Sequence, residues 1–341
     1  MYRGTGRLGE MMSVVAFEAG DCNIASYGTA VRAAGLDPIV LGCRRGFEWR
    51  HNTALPLGEI RLALSDIPSD IKSWYDVDIV KEDFPDAGTA LERLAFAGDW
   101  PVIVDVDSYH LPYSSMFQRE HYPHTVVLIE VRSDGVFVVD GYRGYRFDGV
   151  LDMNTMLQAL GSPPRPGAMD FDLVPRHDAD SVSVRAARVR SRIPDQSADP
   201  TIILDRVRDN MGPFDDAGSG DRVGVEAVVA IADTLHAAVD EGLAPGAVYD
   251  VLSFLGSVAS QRSLNADFLA WAATRLDMPT LAAGATLAEH ASRRWGMLRN
   301  WVYLRANKNP SALHRAADML VEIAAEEKEL SAALGSAVEK G

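Results

Sequence analysis

Two apolar, β-branched runs joined by a short turn constrain this chain more than any other feature. The first, HTVVLIEV, spans His124 to Val131, and the second, VFVVD, spans Val136 to Asp140. Ser133-Asp134-Gly135 between them is a turn signal, so the two runs are predicted to form an antiparallel hairpin. His124 opens the first strand and Asp140 closes the second, so an imidazole and a carboxylate are expected side by side at its open end. Taken singly, a strand-end histidine and a turn aspartate are more often just solvated.

The surrounding pattern places this hairpin in an α+β domain. Pro101 to Val106, sequence PVIVDV, reads as a further strand. Residues Cys22 to Ala34 read as a helix with Ile24, Tyr27 and Val31 on one face, stopped by Gly35 and then Pro38. Gly88 to Ala97 reads as a second helix. Pro163, Pro164, Pro166, Pro175, Pro194 and Pro200 punctuate the next segment, which is taken as a connector, although Ser181 to Val189 alternates enough to be one strand. After Thr201 the periodicity is helical: Ile202–Asp209, Val223–Val239, Ala247–Val258, Asp267–Arg275, Leu281–Leu304 and Pro310–Ala333. No fixed repeat period emerges. The expected division is an α+β domain over 1–160, a connector over 161–200 and an all-α domain over 201–341.

Composition narrows the function classes. A chain of 341 residues has a soft prior of two domains and can bury a core without metals or disulfides. Hydrophobic residues at 47% and charged residues at 24% exclude general disorder. With 33 Lys and Arg against 48 Asp and Glu, the net charge of −15 opposes both a nucleic-acid footprint and adhesion to an anionic membrane. No apolar core follows the first ten residues, and no apolar run approaches a membrane span, so the expected setting is a reducing cytoplasm. There a cysteine is a buried hydrophobe, a ligand or a nucleophile rather than half of a disulfide.

The two cysteines differ in position. Cys22 follows Gly20-Asp21 and begins the first clear helix, where unpaired backbone N–H groups and the helix dipole favour a thiolate. The same N–H groups can donate to an oxyanion on an attacked carbonyl. Cys43, between Gly42 and Arg44, has no such support. A nucleophile needs a base and a group that orients it, and His124 with Asp140 supplies both. Cys at a helix start, followed by His and Asp on a sheet, is the papain-like arrangement.

At these residues a family emerges. GDCNIASYGTAVRAAG resembles the nucleophile helix of papain-like peptidases that process bacteriocin leaders, and His124 and Asp140 resemble their second motif. The stretch from Pro101 to Val131, with its VD-x-Y-x-LPY segment ahead of a His-led strand, is most similar to the butirosin biosynthesis protein H family. The helical region resembles the domain of unknown function that often follows in that family. The resemblance implies a papain-like cysteine peptidase fold and acyl transfer from an acyl carrier protein thioester to an amine of a small-molecule acceptor. Cys22 would carry the acyl group, His124 would move the protons and Asp140 would orient His124. No cofactor is implied beyond the phosphopantetheine that carries the substrate. Alternatives in the same frame are an intramolecular cyclase, a peptidase or amidase, and a non-catalytic binding module.

The chain departs from the processing peptidases in two ways. Val14 to Glu18 lacks the Gln that donates to their oxyanion, and Asn23 replaces the Gly after the cysteine. Asn23 is therefore a candidate oxyanion donor. Asp107 is a second candidate for orienting His124, and Tyr109 and Tyr113 are candidate substrate contacts. His110 and His121 bracket the same loop, but no His-x2–4-His or Cys-x2-Cys spacing supports a metal there, and none is expected. In the helical half, Arg293, Arg294, Arg299, Arg305 and Lys308, with Trp295 and Trp301 between them, could form a basic patch for an acidic carrier protein. His236 and His290 are expected in the core or on the surface rather than as ligands. The Gly-rich stretch from Gly212 to Gly224 lacks the Lys-Ser/Thr of a phosphate loop.

Overall fold

Short helices alternate with antiparallel strands in the first half of the chain, and long helices follow. The computed structural model describes residues 16–50, 59–62, 67–95, 101–162, 182–189, 199–209, 222–242, 247–306 and 308–340. In chain order the elements are α1 (Cys22–Ala33), β1 (Phe47–Arg50), β2 (Glu59–Leu62), α2 (Ile67–Tyr75), β3 (Val77–Phe84), α3 (Ala87–Ala95), β4 (Val102–Asp107), β5 (Pro123–Arg132), β6 (Gly135–Asp140), β7 (Phe147–Leu151), α4 (Met153–Gly161), β8 (Val182–Val189), α5 (Pro200–Asp209), β9 (Arg222–Val223), α6 (Gly224–Glu241), α7 (Ala247–Leu276), α8 (Pro279–Arg305) and α9 (Leu313–Lys340). The class is α+β. Among the described residues, no helix is long and apolar enough to cross a membrane.

The chain divides into two compact units, neither continuous in sequence. One comprises Met1–Pro38, Pro68–Pro166 and Val174–Pro194; the other comprises Ile39–Ile67, Gly167–Leu173 and Asp195–Gly341. Residues 39–67 thus group with the helical unit rather than with the sequence around them. Strand β8, within the proline-punctuated connector, groups with the sheet.

The first unit is built on a six-stranded sheet of order β3-β8-β4-β5-β6-β7. The hairpin forms between the two runs, with Val127 opposite Val139 and Leu128 opposite Val138, and a bulge between Leu128 and Glu130 shifts the register. Period-2 alternation then sorts side chains by face. Val102, Val104, Val106, Val126, Leu128, Val136 and Val138 bury one face against Ala90 and Leu91 of α3 and Met156, Ala159 and Leu160 of α4. On the other face Thr125 accepts a hydrogen bond from Ser26 of α1, Oγ to Oγ1, at 3.3 Å.

Helix α1 begins where Asp21 caps it: Oδ1 accepts the N–H groups of Asn23 at 2.9 Å and Ile24 at 3.2 Å. It ends at Ala34, and Gly35 follows with φ 77°. The Leu36 N–H then returns to the Val31 carbonyl at 3.1 Å, closing a Schellman turn. Asn23 to Val31 are all buried.

In the second unit, strands β2-β1-β9 form a small antiparallel sheet beside the long helices. Helix α7 is one 30-residue helix where the apolar spacing suggested two. The interruption is explained by what its middle faces. Gln261 donates to the Gly46 carbonyl at 3.1 Å, Asn265 to the Gly42 carbonyl at 3.0 Å, and Arg262 to the Arg45 carbonyl. Those buried polar residues satisfy backbone groups of segment 42–46 instead of filling an apolar core. A Cβ on Gly42 would sit 2.1 Å from the Leu264 carbonyl oxygen, so only glycine allows this approach.

Glu327 of α9 is the polar centre of that core. Its Oε1 accepts from Arg262 Nε at 2.6 Å and Trp295 Nε1 at 2.9 Å, and Arg45 Nη1 lies 3.7 Å from Oε2. Burial, then Arg262's charge, lowers the Arg45 pKa to about 10 against the pull of Glu327. Several members of the candidate basic patch on α8 are engaged within the unit. Trp295 is core, Arg294 pairs with Glu326 and Glu322, and Arg293 pairs with Glu289.

Candidate active site

The segment before α1 delivers Cys22 to the sheet. Ala19 bridges Tyr142 in parallel register; its N–H donates to the Gly141 carbonyl at 3.2 Å and its carbonyl accepts the Arg143 N–H at 2.8 Å. A Cβ on Gly141 would meet the Phe17 carbonyl oxygen at 2.1 Å, so the two backbones touch where no other residue fits. Three residues after Ala19, Cys22 opens α1 and is half-buried. The Asp21 side chain takes the N–H groups of Asn23 and Ile24, and the Asp21 carbonyl takes that of Ala25. The N–H of Cys22 itself lies outside that set.

His124 and Asp140 meet at the open end of the hairpin, Nε2 to Oδ2 at 2.7 Å, both buried. Continuing the register from Val127 and Val139 sets Asp140 opposite Val126 and His124 opposite Tyr142. The pair is therefore diagonal rather than directly opposed. The register beside the turn would set Asp140 opposite Val127, on the other face from His124; the bulge shifts it by one and brings both side chains onto one face, where diagonal neighbours stay within reach. The second Asp140 oxygen, Oδ1, accepts the Tyr142 N–H at 2.9 Å, which locks the carboxylate plane. Burial, the largest influence on His124, opposes its charged form. The charges of Asp140, Cys22 and Tyr145 outweigh it, together with the Asp140 hydrogen bond, and raise the imidazole well above its usual range. Cys22 is thus near enough for its charge to act on the imidazole, and with Nε2 held by Asp140 the other ring nitrogen, Nδ1, is left for chemistry.

Aromatic rings surround the pair. Tyr142 meets the His124 ring edge-on at 5.5 Å, and Tyr145 lies tilted at 5.1 Å. The Tyr145 hydroxyl is 3.1 Å from Oγ of buried Ser108. Tyr113 stacks on Phe147 at 4.2 Å, with its hydroxyl buried beside Asp140 outside ordinary hydrogen-bond geometry. Burial is the main reason the Tyr113 phenol is raised, with the Asp140 charge second. This surround buries the His124–Asp140 pair and strengthens the interactions within it.

The other candidates fall elsewhere. Asp107 does not reach His124. Its Oδ1 accepts the N–H groups of Tyr109 at 3.0 Å and Tyr122 at 3.1 Å, and its Oδ2 accepts from Ser162 Oγ at 2.7 Å and lies 2.5 Å from His121 Nδ1. Burial works against that carboxylate, but His121, Tyr109, Ser162 and Tyr122 together hold its pKa below the usual range. Tyr109 stacks on His121 at 4.2 Å and so belongs to that cluster. Asn23 is buried on α1 and its N–H already serves the Asp21 cap, so its backbone is not available to an oxyanion. Cys43 is 1% exposed, in the other unit. Reading by motif passed over Tyr142, Tyr145, Ser108 and Gly141. The only local signal was the GYRGY stretch at 141–145, a glycine-flanked aromatic pair directly after Asp140. No protein-family model matches the chain, and no curated protein matches it.

Proposed function

We propose that this chain is a papain-like cysteine acyltransferase, similar to the butirosin biosynthesis protein H family, acting on an acyl carrier protein thioester. The observation that carries the reading is a cysteine at a capped helix start, within electrostatic reach of a buried histidine whose Nε2 is held by a carboxylate. In the first step His124 takes the Cys22 proton and Sγ attacks the thioester carbonyl. The new C–S bond forms as the phosphopantetheine sulfur leaves with the proton from His124. In the second step an amine of a small-molecule acceptor attacks the acyl-cysteine, His124 accepts the amine proton, and the amide departs as Cys22 regains its proton. Thiol-to-thiol exchange is nearly isoenergetic, which suits this donor. The Cys22 N–H, which the Asp21 cap does not take, would serve as a backbone donor to the oxyanion; one such donor accounts for about 10²–10³ in rate.

Intact-mass analysis after mixing with an acylated carrier protein tests the reading. The wild type gains the mass of one acyl group and Cys22→Ala gains none, and addition of an amine discharges the adduct as an amide. Absence of any adduct from carrier thioesters would overturn it. Discharge to the free acid even with amine present would assign a hydrolase instead.

A further inference from the structure

Asp107, His110 and His121 converge on a second point in the first unit, apart from the Cys22–His124–Asp140 group. Each offers one ligand atom, and the three atoms lie within 4.8 Å of one another. We propose that they form a binding site for a borderline divalent transition ion, Zn²⁺ by ligand type. Two imidazoles and one carboxylate are the donor set such ions prefer, and a water completes four-coordination.

The carboxylate is held in place before any ion arrives. The Tyr109 and Tyr122 N–H groups fix Oδ1 and the Ser162 hydroxyl fixes Oδ2, the kind of outer-shell support that orients metal ligands. Tyr109 sets both rings, stacked 15° from parallel on His121 and edge-on to His110 at 5.1 Å. His110 is half-buried and His121 is 47% exposed. Tetrahedral ligation at about 2.0–2.2 Å sets ligand atoms roughly 3.3–3.5 Å apart, so binding requires His121 Nδ1 to move out from its 2.5 Å contact with Asp107 Oδ2. The ion then takes the place of the proton between His121 Nδ1 and Asp107 Oδ2. Asp107 ends β4 and His121 lies two residues before β5. Occupancy would therefore clasp the connection that leads into the strand presenting His124, without entering the acyl-transfer steps.

The test uses full-length protein free of any polyhistidine tag, with Zn²⁺ titrated against a chelator and Co²⁺ as an absorbing substitute. One equivalent is expected to bind, with a Co²⁺ spectrum of four-coordinate intensity and a rise in Tm. His110→Ala and His121→Ala each weaken binding by about 100-fold, at or beyond the 10–100-fold that loss of outer-shell partners produces. Cys22→Ala binds as the wild type does. The proposal is overturned by the absence of one-equivalent binding, by unchanged affinity in both histidine variants, or by loss of binding in Cys22→Ala, which would put the ion on the nucleophile.

Discussion

Nε2 of His124 lies 2.7 Å from Oδ2 of Asp140, and each side chain is only 1% exposed. The carboxylate is what keeps this buried ring able to hold a proton. Asp140→Asn removes the strongest charge raising His124 and leaves burial to lower it, so the His124 pKa falls. The limb of the activity profile that His124 governs then moves to lower pH. Activity drops by about 10²–10⁴ in His124→Ala, the usual scale for a lost general acid–base. Imidazole NMR titration of both proteins, beside rate against pH, checks the direction.

The cysteines should separate cleanly under alkylation. Cys22 is half-buried at a helix start, whereas Cys43 is inside the second unit. Iodoacetamide on native protein is expected to label Cys22 alone, and His124→Ala to slow that labelling. Cys43 labels only after denaturation. Peptide mapping by mass spectrometry decides it, and preferential native labelling of Cys43 would remove Cys22 as nucleophile.

Gly141→Ala tests the backbone contact that delivers Cys22. Its Cβ has no room against the Phe17 carbonyl, so Ala19 and Tyr142 must part. The expected cost is about 1–3 kcal/mol, the range for overpacking. Acylation should fall far more than stability, which urea midpoints and acyl-adduct rates measured together would show.

Around Glu327 the two arginines should contribute unequally. Arg262 is hydrogen-bonded to it, and Arg262→Ala or Glu327→Ala strands a buried charge at a cost of about 3–5 kcal/mol. Arg45 is held in a place that disfavours its charge. Arg45→Met is therefore expected to cost less than Arg262→Ala, because Glu327 keeps Arg262 and Trp295 as partners. Chemical denaturation at neutral pH distinguishes them.

Stability should decline at both ends of the pH scale for two nameable reasons. Burial works against the Glu327 carboxylate, but Arg262, Trp295 and Arg45 lower its pKa below the reference 4.5. That contribution is full above 4.5 and is lost as pH falls through the folded value. His124 is raised above 6.5, so its contribution is full below 6.5 and fades as pH rises through the folded value. Glu327→Gln should flatten the acid slope and His124→Gln the alkaline slope of urea midpoint against pH.

Local pattern made some of this legible. The hairpin, the Cys22 helix with its Gly35 stop, and the strand at 182–189 all follow from periodicity and turn chemistry acting over a few residues. What escaped depends on partners distant in sequence. The exposed-looking polar residues Gln261, Arg262 and Asn265 are buried because the backbone of 42–46 needs donors, which no window of α7 discloses. Strand β3, paired with β8, and strand β1 at 47–50 carry too many charges to read as strands alone. At the site, the approach of His124 to Asp140 was visible, but the bulge that brings them onto one face of the sheet was not. Asp107 looked like an alternative partner for His124 because a strand-end position says nothing about which neighbouring loop will claim the carboxylate.

The discontinuity of the two units has a temporal meaning. Arg45 leaves the ribosome nearly the whole chain ahead of Glu327, the residue it must meet. Strands β3 and β4 likewise wait for β8, which lies between them in the sheet. Neither unit can therefore finish folding during synthesis in simple order from its N-terminus. Contacts this distant in sequence slow folding and lengthen the time that apolar surface stays uncovered. Nascent chains of this protein are expected to lean on chaperones until α9 is released.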